Sequence, residues 1–264
     1  MIKKQTSWGN VALWYHELLK NGKGTYQHDV ILPQIVRLLE PKKGQTVLDL
    51  ACGPGFFARE FAKMGPKVIG IDIAEELILF AKKATALGGA TPTGGKVQNL
   101  EFFVTPADHI PMIKNKSVDA VTIILALQNI ENMAGVFAEC SRVLKADGRL
   151  LLVLNHPAFR VPKASDWGWD EENKIQYRRV DAYMSEARVK IDMHPGDDPS
   201  VHTWSFHRPL QIYMKALHKA GFSVTRLEEW ISNRQGPKGK RFAASEKARK
   251  EIPLFLFLEA FMAS

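Results

Sequence analysis

The sequence predicts a doubly wound α/β fold: a mostly parallel seven-stranded sheet with an antiparallel last strand, an N-terminal helical cap and a lid insertion. Three observations carry this expectation. Between residues 46 and 154, short β-branched or apolar runs alternate with amphipathic stretches of about helical length, the pattern of parallel strands joined by helical crossovers. A glycine-bearing turn follows the first run, where such sheets bind ligands. A helix and two more apolar runs close the chain, implying a hairpin-like last pair. The expected organisation is a cap over residues 1–43, a core over 44–156 and 206–264, and an insertion over 157–205.

The elements follow in order. Residues 8–19 and 28–39 read as two helices, the second broken near its start by Pro33 and closed by Pro41. Strands are expected at 46–50, 67–72, 100–104, 118–126 and 148–154, with helices at 56–63, 74–86 and 132–144. Gly88, Gly89, Pro92, Gly94 and Gly95 mark a loop before the third strand, and Ala146-Asp147-Gly148 a turn into the fifth. The stretch 157–205 is rich in Trp, Tyr, Arg and Asp, lacks a sustained period and is too long for an ordinary connection, so it has structure of its own. A helix at 209–220 stops at Gly221, a strand runs over 222–229, a basic loop follows, and the last strand covers 252–261.

Composition narrows the functional classes. The chain has 264 residues, of which 45% are hydrophobic and 24% charged, enough for a sizeable core. No run is long enough to span a membrane, and Gln5, Thr6 and Ser7 stand where a signal peptide would place its apolar segment after Lys3 and Lys4. Cys52 and Cys140 supply neither a disulfide framework nor a four-thiolate zinc site, so a reducing cytoplasm is expected. The net charge of +8 attracts polyanions in general. Much of it lies in Arg234, Lys238, Lys240, Arg241, Lys247, Arg249 and Lys250, which read as a solvated loop without the alternating aromatics of single-strand binders. His194, His202 and His207 match no standard ligand spacing, so no metal is expected.

The first run leads into Leu50-Ala51-Cys52-Gly53-Pro54-Gly55-Phe56. Gly53 and Gly55 let the backbone turn sharply and approach a ligand, and the next helix presents unpaired N–H groups. With Ala58 they also satisfy the dinucleotide pattern G-x-G-x-x-A, so a nicotinamide cofactor must be weighed. Asp49 separates the two ligands: a carboxylate there repels a pyrophosphate but attracts the ammonium and sulfonium of S-adenosylmethionine. Asp72, about twenty residues on, can accept hydrogen bonds from ribose hydroxyls of either cofactor.

With these residues in place, the chain resembles the class I S-adenosylmethionine-dependent methyltransferases, and more closely the small-molecule domains similar to the ubiquinone and menaquinone C-methyltransferases. Leu48-Asp49-Leu50-Ala51-Cys52-Gly53-Pro54-Gly55 is similar to that family's first motif, Ile69-Gly70-Ile71-Asp72-Ile73 to its second, and Ala107-Asp108-His109-Ile110-Pro111 to the segment whose acid meets the adenine amino group. Ser117-Val118-Asp119-Ala120 and Ser141-Arg142-Val143-Leu144-Lys145-Ala146-Asp147-Gly148 continue the likeness, with Ala146-Asp147 where Pro-Gly is usual and Gln128-Asn129 where histidine is frequent.

The resemblance implies a Rossmann-like fold, S-adenosylmethionine as cofactor and methyl transfer to a small molecule. Its implied cofactor contacts are Asp49, Gly53, Gly55, Phe56, Asp72, Ile73, Asp108, His109 and Ala126. For catalysis, His156 is a candidate base at the ligand-binding edge or a histidine bonded to the lid backbone, and Tyr15 is a candidate pocket residue on a helix that in similar enzymes closes over the cofactor. Gln128, Asn129, Trp167, Tyr177, Arg178, Arg179 and His207 are candidate substrate contacts; flat apolar surfaces beside cationic forks suit an acidic or aromatic acceptor. An RNA methyltransferase is the alternative, favoured by the basic balance but without an Asn-Pro-Pro-Tyr-type motif or RNA-binding appendage.

Overall fold

The computed structural model describes residues 8–20, 24–88, 99–192, 202–236 and 238–263. The glycine-rich stretch 89–95 and His194 lie outside the described residues. Seven strands form one sheet: β1 (Thr46–Leu50), β2 (Lys67–Asp72), β3 (Leu100–Val104), β4 (Val118–Ile124), β5 (Leu144–Asn155), β10 (Phe222–Trp230) and β11 (Phe255–Met262), in the order β10-β11-β5-β4-β1-β2-β3. The strands β6 (Ser165–Asp170), β7 (Ile175–Val180), β8 (Ala187–Asp192) and β9 (His202–His207) belong to the insertion. Pairing from β3 through β5 is parallel, and β11 is antiparallel to both neighbours, as expected. β2 and β4 flank β1 on opposite sides, so the chain reverses direction across the sheet at β1, and that reversal opens the crevice for a ligand.

Alternation along each strand covers both faces. Leu48 and Leu50 share one apolar layer with Ile123, Leu152 and the helices α5 (Met133–Val143) and α6 (Leu210–Lys219), which contribute Phe137 and Leu217. Val47 points to the other layer, with Val68, Leu151 and Phe257 under α2 (Leu32–Leu39), α3 (Phe56–Ala62) and α4 (Glu75–Gly88). α2 buries Ile35, Leu38 and Leu39 at helical spacing, and Arg149 of β5 reaches its last turn, bonding the carbonyls of Leu38 at 3.1 Å and Leu39 at 2.6 Å.

Four sequence expectations change. Pro33 does not break its helix: it sits in the first turn, where its missing N–H costs nothing, and a π-helical turn over Gln27–Ile31 leads into α2. β5 starts at Leu144 rather than 148, because Leu144 pairs with Val118 ahead of a bulge. The basic stretch is not only loop. It holds α7 (Phe242–Glu251), a run of helix formers whose single buried residue, Ala248, left no apolar stripe to read. The insertion consists of two hairpins, β6 (Ser165–Asp170) with β7 (Ile175–Val180) and β8 (Ala187–Asp192) with β9 (His202–His207), so the expected boundary at 205 falls inside β9. α7 rests on the first hairpin, where Arg241 stacks over Trp169 at 4.5 Å and Ser245 Oγ meets Gln176 Oε1. Before the sheet, α1 (Ala12–Lys20) packs through Ala12 and Tyr15 on Ala74 and Leu77 at the start of α4.

Candidate active site

The site is built on the turn after β1. Ala51, Gly53 and Gly55 all have positive φ (55°, 57° and 72°), a reversal held by hydrogen bonds from Cys52 N to Ile71 O at 2.9 Å and from Gly55 N to Cys52 O at 3.1 Å. Gly55 has no room for a side chain, since an added Cβ would lie 2.7 Å from the Phe102 ring and 3.0 Å from Ala81. At Gly53 the neighbour is Tyr15, 3.4 Å from where a Cβ would stand, so the α1 phenol ring lies over the turn. Leu125, just past β4, is a second non-glycine residue with positive φ (53°). Left-handed alanine and leucine each cost about 1 kcal/mol, and here both occur at the carboxyl ends of adjacent central strands.

Two carboxylates lie under this turn. Asp49 is 2% exposed; its Oδ1 accepts a 2.9 Å bond from Thr122 Oγ1 of β4, while its Oδ2 is buried without a hydrogen-bond partner. Burial, with the charge of Asp72 adding to it, raises its pKa from 3.8 to about 7 against the opposing effects of Thr122 and, more weakly, the Ala58 backbone N–H. Asp72 ends β2 and accepts from Gly53 N and Ala74 N, each at 2.9 Å, which fixes the turn from below. Burial also pushes the Asp72 carboxyl up, and the backbone bonds oppose the rise. The Tyr15 hydroxyl is hydrogen-bonded to Gln27, and desolvation pushes its pKa to about 12. Its proton is therefore held firmly at neutral pH.

The other expected cofactor contacts surround this centre. Phe56 is buried at the start of α3, whereas Ile73 is 45% exposed just past β2 and is no core residue. Asp108 follows β3 and accepts a 2.7 Å bond from Asn132 Nδ2, at the start of α5; His109 beside it is exposed, with its carbonyl held by Thr105 Oγ1. Ala126 caps the 3-10 turn Leu127–Asn129 after β4. In that turn Gln128 donates to Leu125 O at 2.8 Å and leaves its buried Oε1 unpartnered, and Asn129 Nδ2 reaches the same carbonyl at 3.4 Å.

The remaining candidates separate. His156 sits at the carboxyl end of β5, but its Nδ1 accepts from Ala158 N at 3.2 Å and its Nε2 lies 2.7 Å from Glu229 Oε1. Nδ1 as acceptor leaves the proton on Nε2, donated to Glu229; burial lowers the ring's pKa in spite of that carboxylate. Both nitrogens thus have partners within the fold, one the Ala158 backbone at the start of the insertion and the other the Glu229 side chain. His207 Nε2 bonds Tyr183 O at 2.8 Å and ties the two ends of the second hairpin. On β7 the strand period divides the arginines: Arg178 faces inward with Trp167, while Arg179 is exposed and paired with Asp181 at 3.0 Å, and Tyr177 lies over Gly168 on the outer side. Trp167 and Arg178 line a cavity of about 160 Å³ together with Tyr26, Phe159, Arg160 and Pro253.

Residues 48–152 match the family model described as Methyltransferase domain. Over that stretch the chain is similar to methyltransferase domains. The chain is 31% identical over 122 residues to the demethylmenaquinone methyltransferase of Tropheryma whipplei (strain Twist), covering 46% of each chain. It is 32% identical over 141 residues to the demethylmenaquinone methyltransferase of Lactococcus lactis, covering 52% of this chain and 53% of that one. The chain thus spans about half the length of the curated relatives it matches. The crystal structure of an S-adenosylmethionine-dependent methyltransferase from Mesorhizobium loti superposes with a TM-score of 0.68 at 23% identity, covering 90% of this chain and 98% of that one, which shows the shared fold.

The residues under the turn after β1 fit S-adenosylmethionine. The unpartnered Asp49 Oδ2 and the second buried carboxylate of Asp72 form an anionic cradle suited to a cation, and a pyrophosphate would meet repulsion there. Four residues at the site escaped the sequence reading. Thr122, Gln27 and Arg160 look like ordinary strand or loop residues until pairing brings them to Asp49, Tyr15 and the cavity. Arg208 was visible only as part of His207-Arg208-Pro209-Leu210. It is buried, clamps the carbonyls of Ile130 and Glu131 at 3.0 and 2.8 Å, and keeps one guanidinium nitrogen unpartnered. Among the described residues no helix is long and apolar enough to cross a membrane.

Proposed function

We propose that this chain transfers a methyl group from S-adenosylmethionine to a small molecule held between the ends of β4 and β5 and the first hairpin of the insertion. The observation that carries the proposal is the buried Asp49 carboxylate with one oxygen unpartnered, under a turn kept open by Gly53 and Gly55. When bound, the cofactor supplies a methyl carbon made electrophilic by its sulfonium, open to in-line attack. Asp49 would hold the ammonium, Asp72 the ribose hydroxyls, and Asp108 the adenine amino group, with Ile73 as an exposed apolar contact beside Asp72. Tyr15 covers the turn and excludes water, holding its proton. Neither His156 nor Tyr15 is set to remove a proton, so the chain's contribution is positioning and desolvation of an acceptor that is already nucleophilic. The relatives named for demethylmenaquinone support a small-molecule acceptor, and the inward Trp167 and Arg178 support an acidic or aromatic one.

Calorimetric titration tests the reading. S-adenosylmethionine and S-adenosylhomocysteine should bind and NADH should not, and Asp72→Ala should weaken both by roughly tenfold or more, the scale of a lost pair of charge-assisted hydrogen bonds. Tight NADH binding with no response to S-adenosylmethionine would overturn it.

A further inference from the structure

The cavity beneath the first hairpin of the insertion holds two guanidinium groups and no carboxylate. Arg178 spends its Nε on Phe159 O at 2.8 Å and one terminal nitrogen on Ser165 Oγ at 2.8 Å. Arg160 spends one terminal nitrogen on Asn155 Oδ1, also at 2.8 Å. Among the described residues neither has an ion-pair partner, and the remaining guanidinium nitrogens have no protein acceptor. Asp166 lies near enough to act on Arg178 only at a distance, and its own Oδ1 accepts from Trp167 N. Burial lowers the pKa of both arginines, and the charge of Arg178 lowers that of Arg160 further, so the two cations repel each other across a shared space.

The walls around them are flat and apolar. Trp167 stacks under Arg178 at 5.4 Å and Phe255 under Arg160 at 5.8 Å, and Tyr26, Phe159 and Pro253 are among the other residues that line the cavity. The volume of about 160 Å³ suits one small ring with its substituents. Tyr26 lines the cavity, and the next residue, Gln27, bonds the hydroxyl of Tyr15, whose ring lies over Gly53.

We propose that Arg160 and Arg178 form the subsite for the carboxylate of a single-ring aromatic acceptor, whose ring lies among Tyr26, Phe159 and Trp167. This deepens the methyl-transfer reading and rests on it. A planar carboxylate matches the two-pronged donor geometry of guanidinium and relieves the mutual repulsion of the pair, while the aromatic walls favour a ring over a compact inorganic anion.

The experiment is calorimetric titration of the whole chain with benzoate, benzyl alcohol and inorganic phosphate, each with and without saturating S-adenosylhomocysteine. Benzoate should bind roughly tenfold or more tightly than benzyl alcohol, as expected for charge-assisted hydrogen bonds. Arg160→Gln and Arg178→Gln should each abolish that preference, Arg178→Lys should retain part of it, and Arg179→Gln, on the outer face, should leave it unchanged. None of these variants should alter S-adenosylhomocysteine affinity. Equal binding of benzoate and benzyl alcohol by the unsubstituted chain overturns the proposal without any variant having to fold. So does a preference that survives both glutamine substitutions, and phosphate binding as tight as benzoate overturns the aromatic carboxylate as occupant. If benzoate behaves as expected but S-adenosylhomocysteine does not bind, the methyl-transfer reading fails and the anion subsite stands.

Discussion

Asp49→Asn separates the structural burden of the buried carboxylate from its use. A carboxyl whose pKa rises from 3.8 in the unfolded chain to about 7 on folding keeps a proton that the unfolded chain gives up. Its contribution to stability is therefore greatest below pH 3.8, falls as pH rises, and levels out above about pH 7, where the folded chain carries a buried charge. Each tenfold step in proton affinity is about 1.4 kcal/mol, so ionised Asp49 costs the cofactor-free protein about 4 kcal/mol, of which about 2–3 kcal/mol develops between pH 5 and pH 8. Asparagine keeps the Thr122 bond and has no charge to bury. It leaves an amide group short of a partner, a cost of about 1–3 kcal/mol that does not vary with pH and cancels from the comparison. Urea unfolding at pH 5, 6, 7 and 8, followed by tryptophan fluorescence, should show the unsubstituted protein losing about 2–3 kcal/mol relative to Asp49→Asn across that range. The same substitution should abolish measurable S-adenosylmethionine binding at pH 8, because the ammonium loses its counter-charge. A stability gap that stays constant to within about 0.5 kcal/mol from pH 5 to pH 8 would refute the argument that this carboxylate is buried and strained by its own charge.

Gly55→Ala should destabilise by about 1–3 kcal/mol in thermal or urea unfolding, since its Cβ would press on the Phe102 ring and Ala81 from a left-handed backbone. His156→Gln should lower stability by about 1–2 kcal/mol by loosening the Glu229 and Ala158 bonds, yet leave the pH profile of methyl transfer in place; a profile displaced by more than one pH unit would restore His156 as a base. Tyr15→Phe should cost about 1 kcal/mol of stability through the lost Gln27 bond and weaken cofactor binding, with no change in the pH dependence of rate between pH 6 and 9, because the phenol holds its proton up to about pH 12.

Residues close in sequence made much of this legible. Val47, Leu48 and Leu50 read as a buried strand because apolar and β-branched side chains suit a sheet covered on both faces, and Gly53 and Gly55 mark the turn because side chains fit poorly in a left-handed, crowded backbone. Asp49 and Asp72 are informative by their offset from those glycines alone. Helix α7 escaped because an exposed helix with one buried residue has no periodic stripe, and the extension of β5 to Leu144 escaped because only its pairing with Val118 makes that residue a strand. Tertiary structure alone decided the rest. Glu229, 73 residues from His156, accepts the hydrogen bond from Nε2 and leaves the ring's lone pair on Nδ1, which accepts from Ala158 N. Strand alternation sends Arg178 into the cavity and Arg179 to solvent, although the two are neighbours and chemically identical. Arg160 becomes its partner only when the turn after β5 folds beneath the first hairpin. Such assignments depend on which distant surfaces meet when the sheet and its insertion close, and local propensity and spacing carry no information about that closure.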